Sequence, residues 1–266
     1  MSQDELILEK RGHFATLTFN RPKRLNALTE EMTNVTFPRV LKELQDDRDV
    51  RVLVITGKGD SFCAGADVSI LGEAVLTGRV QDVLEPNGQP IGGGFVNQLY
   101  NLGKPTIAAI NGVAAGGGVS ISLLCDIRLM SDRAYLSMSF TRRGLIPDCG
   151  CSYLMPRLIG TARTFEYLYT GAKINASEAE RIGLVNRVVA HDKLMDEVYE
   201  LASRIAKSPP LALAQMKKAI HYGVHNVLEQ QVYFETYAQK FLFATEDFKE
   251  GLLAFHEKRE PDFKGK

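Results

Sequence analysis

Residues 110–126 read INGVAAGGGVSISLLCD, and the three consecutive glycines Gly116, Gly117 and Gly118 constrain the fold more than any other stretch. An apolar run at 106–110 precedes them and small and apolar residues follow. That pattern predicts a strand, a tight turn and a buried helix. The first amides of a helix lack intrahelical partners, and the macrodipole adds roughly half a positive charge there. An anion or a developing oxyanion is therefore favoured at the turn, and glycine lets a reacting group approach the backbone closely. A single glycine turn could serve only to pack a helix on a sheet. A second motif, DSFCAGAD at 60–67, directly follows a short apolar strand at 51–56 and points to a paired device.

Composition narrows the class. With 266 residues and 45% apolar content the chain suits one large α/β body with an appendage. Lys plus Arg (32) balances Asp plus Glu (32), so no global field recruits nucleic acid or an anionic membrane. Local basic spots must do any anion binding. Cys63, Cys125, Cys149 and Cys151 form no CxxC pair and the five histidines lie outside the glycine motifs, so no metal site and no disulfide framework is expected. No signal-peptide pattern or membrane-length apolar stretch occurs, which makes cytoplasmic localisation the expectation.

Along the chain, alternation about Gly12 predicts a hairpin over 6–20 with Leu6, Leu8, Ala15, Leu17 and Phe19 on one face. A helix is expected over 29–46, kinked at Pro38. Residues 77–94, with Pro86 and Pro90, read as a polar flap and a candidate lid. Strands follow at 127–130 and 134–136, then a loop running into a helix over 144–160. Helices are expected at 161–170, 176–182 and 192–207, with a strand at 184–189. Beyond Pro209 the pattern is wholly helical. This divides the chain into a body, 1–208, and a helical module, 209–266.

In order along the chain, NRPKRLNAL, SFCAGAD, PTIAAINGVAAGGG, GLIPD, EAERIGLVNRVV and EGLLAFHEKREPDF closely resemble the crotonase (enoyl-CoA hydratase/isomerase) superfamily. The resemblance covers nearly the whole chain. It implies a spiral of repeated ββα units with a C-terminal all-helical trimerisation region, a homotrimer or hexamer, and an acyl-CoA thioester substrate. It implies no cofactor beyond the coenzyme A of that substrate. The family's oxyanion-hole amides fall on Ala66 and Gly117. Its CoA-binding positions fall on Lys23, Arg24, Leu25, Ala64, Ala66, Asp67 and Val68, with Phe255 and Lys258 reaching a neighbouring subunit's CoA. Asp67 serves equally well as a cap for its own loop.

Departures from the family pattern direct the chemistry. Where a typical hydratase of the family holds water between two glutamates, this chain has Ser120 and Phe140, and neither acts as acid or base near neutral pH. Asp148 matches the single carboxylate of family isomerases, which suits a proton shift, with Phe140, Ile146 and Tyr153 expected to form an apolar wall around it. The acyl group is expected to meet Ile70, Leu71, Val75, Ser120, Met138, Phe140 and Tyr153. Other readings stay open: hydration of an unusual enoyl-CoA using Asp148 with Asp82 or Glu85 of the flap, a ring-isomerising enzyme, or a non-catalytic CoA-ester binder. The dehalogenase branch uses a Trp and a loop His, whereas this chain has no Trp and no His between His13 and His191. Arg142 and Arg143 read as surface charges rather than a carboxylate clamp.

Overall fold

The computed structural model describes residues 4–80 and 93–266, without the side chains of Ile70, Leu71 and Gly93. The expected hairpin is present: β1 (Leu6–Arg11) pairs antiparallel with β2 (Phe14–Phe19), Leu6 opposite Phe19. Helix α1 (Phe37–Asp46) follows, and the expected kink at Pro38 takes a different form. A π-helical turn, Met32–Thr36, precedes it, with the Phe37 amide donating to the Met32 carbonyl. Proline offers no amide and its ring crowds the carbonyl four residues back, so a wider turn just ahead of it relieves both problems.

The chain then winds as a spiral, each turn adding a strand to each of two sheets. The first turn is β3 (Val52–Gly57), β4 (Ser61–Cys63) and α2 (Val68–Leu76). After α3 (Gly93–Tyr100) come β5 (Thr106–Ile110), β6 (Val113–Ala115) and α4 (Gly117–Leu124). The third turn is β7 (Ile127–Ser131), β8 (Tyr135–Ser137) and α5 (Cys151–Ile159). Next are α6 (Thr161–Thr170), β9 (Lys173–Asn175), α7 (Ala176–Arg181), β10 (Arg187–Val189) and α8 (Leu194–Ala206). The large sheet runs β1-β2-β3-β5-β7-β10 and the small one β4-β6-β8-β9. Strand 184–189 is shorter than expected, because Leu184 and Val185 are buried in the turn before β10.

The large sheet is buried on both faces, as parallel pairing requires. Alternate residues of one strand serve two cores: Leu53 and Ile55 of β3 pack with Leu17, Phe19, Ala108 and Ile110, whereas Val52 and Val54 pack with Ile107, Leu129 and the α8 residues Leu194 and Val198. The second face explains why β2 is almost wholly buried rather than half polar. Beyond Ser208 the chain is helical: α9 (Pro210–Gly223), α10 (Leu228–Phe243) and α11 (Glu246–Glu257). Neither α9 nor α10 contains a buried residue. No helix among the described residues is long and apolar enough to cross a membrane.

Candidate active site

β4 and β6 are parallel neighbours, Ser61 opposite Val113 and Cys63 opposite Ala114. The loops leaving their C-terminal ends therefore emerge side by side, and they touch through glycine. A Cβ on Gly65, whose φ is +84°, would lie 2.6 Å from the Ala115 carbonyl oxygen and 3.1 Å from the Gly117 nitrogen. One on Gly118 would lie 2.0 Å from the Cys63 carbonyl oxygen. Side chains at either position would force the loops apart.

Leu28 fixes the first loop: its amide donates to the Gly65 carbonyl (2.8 Å) and its carbonyl accepts from the Asp67 amide (3.0 Å). Ala66 is clamped between those bonds. Its own N–H, like that of Gly117 at the start of α4, has no hydrogen-bond partner among the described residues. Two unpaired donors thus sit on touching loops, one at a helix N-terminus, an arrangement able to stabilise developing negative charge on oxygen.

Asp148 is tied to α4 through its backbone. Its carbonyl accepts from Ser120 Oγ (2.9 Å) and from the Cys151 amide (3.0 Å), and the next two residues, Cys149 (φ +48°) and Gly150 (φ +83°), are both left-handed. Asp148 Oδ1 is buried with no hydrogen-bond partner among the described residues. Burial holds the Asp148 carboxyl above the usual carboxylate range, against a smaller opposing effect of the Cys149 thiol. The expected wall around it is only partly formed. Phe140 is buried, but Ile146 is 83% exposed and does not screen the carboxyl within this chain. The turn's own packing on α4 supplies the burial instead.

Ser120 and Met138, both expected to meet the acyl group, are fully buried in this chain. Ser120 braces the Asp148 turn, and Met138, just past β8, packs in the main core. Val75 is exposed and Tyr153 half-buried. Asp82, Glu85, most of the 77–94 flap and the side chains of Ile70 and Leu71 lie outside the described residues. Arg143 donates to Ser139 Oγ (2.9 Å) and the Arg142 side chain packs over Gly171.

Of the positions expected to hold CoA, Lys23 and Arg24 form an exposed 3-10 turn, Pro22–Arg24, followed by left-handed Leu25. Ala64 is half-buried and Val68 exposed beside it. Asp67 takes the capping role that the sequence also allowed. Its Oδ1 accepts from the Ser69 amide and hydroxyl and its Oδ2 from Arg21, so both oxygens brace the loop and cap α2. Those bonds hold the carboxyl below its usual range, the Ser69 hydroxyl most strongly. Phe255 and Lys258 are exposed on α11 and its C-terminal cap. The chain beyond them reaches the opposite end of the large sheet, where Arg51 donates to the Phe263 carbonyl (2.8 Å). They are not brought to this chain's own glycine loops.

Sequence reading missed two anchors. Buried Asn26 (φ +57°) donates to the Lys58 and Ser61 carbonyls and accepts from the Arg21 amide, tying the basic turn to β4. Arg21 joins Glu5, Ala27 and Asp67. Both lie inside NRPKRLNAL, where the eye falls on the charged pair. Among the described residues no three His, Cys, Asp or Glu side chains gather as metal ligands.

A family model described as enoyl-CoA hydratase/isomerase matches residues 9–266. The chain is 38% identical over 261 residues to a short-chain-enoyl-CoA hydratase of Clostridium acetobutylicum, covering 97% of each. It is 37% identical to a 1,2-epoxyphenylacetyl-CoA isomerase of Escherichia coli K12, covering 94% of this chain and 95% of that one. Among solved structures, an enoyl-CoA hydratase from Bacillus anthracis superposes with a TM-score of 0.90 at 32% identity, covering 99% of this chain and all of the other.

Proposed function

Since this chain belongs to the enoyl-CoA hydratase/isomerase family, we propose that it moves a double bond within an enoyl-CoA thioester, with Asp148 as the only acid/base. The Asp148 carboxylate takes a proton from C2 of a 3-enoyl-CoA. The electrons shift to the thioester oxygen, which rests on the Ala66 and Gly117 amides as a dienolate. Asp148 then returns the proton at C4, leaving the 2-enoyl product. Each backbone donor of this kind is worth about 3 kcal/mol of barrier. The reading is carried by Asp148 Oδ1, buried without a partner on the turn that Ser120 braces. Raised by burial, that carboxyl is suited to both accept and return a proton.

The two positions that family hydratases fill with glutamate support the same choice. Ser120 Oγ is spent on the Asp148 carbonyl, and Phe140 is an apolar plug. Hydration of an unusual or ring-derived enoyl-CoA is the second reading, favoured by relatives named as hydratases. It needs a second acid, and among the described residues no carboxylate shifts Asp148, while Asp82 and Glu85, the acids it would call on, lie outside them. In this reading Lys23 and Arg24, exposed on their 3-10 turn, bind the CoA phosphates. The bare faces of α9 and α10 suit packing between subunits, as a trimer or hexamer in which Phe255 and Lys258 reach the neighbour's CoA. Purified enzyme should convert a 3-enoyl-CoA to its 2-enoyl isomer faster than it adds water to crotonyl-CoA. Dominant hydration would transfer the chemistry to a two-acid mechanism.

A further inference from the structure

A cavity of about 900 Å³ opens where β2 and β3 begin. The hairpin tip about Gly12, the loop between α1 and β3, the C-terminal end of α8 and residues 260–266 beyond α11 enclose it. That last segment is firmly seated. Buried Asp247 accepts from the Lys264 amide (2.6 Å) and the Gly265 amide (2.9 Å), and Glu250 accepts from the Asp262 amide (2.8 Å). The basic turn of Lys23 and Arg24 stands at the other end of the same strands, where a Cβ on Gly59, just past β3, would lie 3.4 Å from Pro22.

The cavity walls are charged in one sense. Arg11, Arg48, Arg51, Lys207, Lys264 and Lys266 line it against three carboxylates, those of Asp49, Glu260 and Asp262. The chain as a whole balances 32 Lys and Arg against 32 Asp and Glu, so the excess is local. Among the described residues only Lys264 of these six has a carboxylate partner, Asp262 at 2.6 Å. Arg51 is the most constrained of them. Its Nη1 and Nη2 donate to the Ala206 (3.1 Å) and Phe263 (2.8 Å) carbonyls, and its Nε is buried with no acceptor among the described residues. Carbonyl dipoles satisfy two of its hydrogens without cancelling its charge, and a charge set in protein rather than water acts more strongly on its surroundings. Arg11 is fixed over the Tyr199 ring at 5.0 Å.

We propose that this cavity binds a polyphosphate anion of nucleotide size, held between the hairpin tip, the α1–β3 loop and residues 260–266. Its volume falls within the range of small-molecule sites. Cations on separate segments around such a space suit a ligand with several negative charges better than a single carboxylate, and arginine forks match phosphate oxygens. Phe263 adds an apolar wall. Neither Asp148 nor the glycine loops take part, so this site is separate from any thioester chemistry.

The test is calorimetric titration of ADP, tripolyphosphate and adenosine into full-length Lys23→Gln/Arg24→Gln protein, in which the basic turn cannot contribute. ADP and tripolyphosphate should bind, more weakly as salt rises, and adenosine should not. Adding Arg48→Gln and Lys207→Gln should weaken ADP by at least about tenfold, whereas Arg48→Lys with Lys207→Arg should hold it within about twofold. Both side chains are exposed, so thermal melts without ADP should coincide with the parent's, which ties a lost signal to binding rather than to folding. Absence of binding by ADP and tripolyphosphate at millimolar concentration, adenosine binding as tightly as ADP, or undiminished ADP affinity after Arg48→Gln and Lys207→Gln would overturn the assignment.

Discussion

Asp148 works against the fold it belongs to. A buried carboxylate oxygen with no donor among the described residues costs stability, and under the proposed mechanism the same desolvation tunes it as a base. Because its folded-state pKa is raised, the folded protein keeps this proton to higher pH than the unfolded chain does. The group's contribution is most favourable below the ordinary carboxylate range and is lost as pH rises through the raised value. Asp148→Asn should therefore be at least as stable as wild type at neutral pH and should lose that part of the pH dependence, measured by thermal melts from acid to neutral pH. A variant that loses more stability at neutral than at acid pH would mean the carboxylate is favourably paired. The glycine turn at Gly117 and the turn that carries Asp148 were legible in the sequence because each sits in a distinctive motif. Asn26 and the Arg21 partner of Asp67 were not, because a hydrogen-bond network joins residues about 35 and 46 positions apart, a relation that only the folded chain expresses.

At the scale of elements, the decisive fact is that β4 and β6 run parallel with glycine at both exits. Gly65→Ala must place a Cβ at positive φ against the Ala115 carbonyl, and Gly118→Ala must drive β4 from the start of α4. Each should cost on the order of 1–3 kcal/mol and lower kcat more than it raises KM, read from denaturant melts and steady-state kinetics. Gly12→Ala is the control: its φ is also positive but nothing lies within 4 Å, so only strain acts, far from the site. If the three variants behaved alike in kinetics, loop contact would not be what holds the amides. The long elements were readable from periodicity, as the hairpin and the helices beyond Pro209 show. The three-residue strands β4, β6 and β9 were not, because three residues hold too little alternation to separate strand from loop. The π-helical turn before Pro38 likewise leaves no periodic trace.

At the scale of the whole molecule, the helical module stands out for what it leaves uncovered. Ile220, Leu228, Tyr237 and Phe255 are each more than 60% exposed, and no residue of α9 or α10 is fully buried. Apolar surface of that extent on a folded chain marks an association face. A chain ending at Ser208 should lose its native subunit number in light scattering, while the full chain should scatter as a trimer or a multiple of it. A truncated protein with unchanged subunit number would remove the module from the interface. The spiral and its helical extension were expected from the order of six motifs, which carry topology that composition alone does not. The stack of Tyr100 on His221 was not, since it joins α3 to α9 across 121 positions.

The central claim, one carboxylate that both takes and returns the proton, meets its most direct test in solvent isotope exchange. In deuterium oxide with a 3-enoyl-CoA, wild-type enzyme should place deuterium at C2 or C4. Asp148→Asn should still bind the ester, since its amides remain, yet lose isomerisation by at least about 10²-fold and incorporate no deuterium. Full turnover by Asp148→Asn, with deuterium entering as in the wild type, would contradict the account.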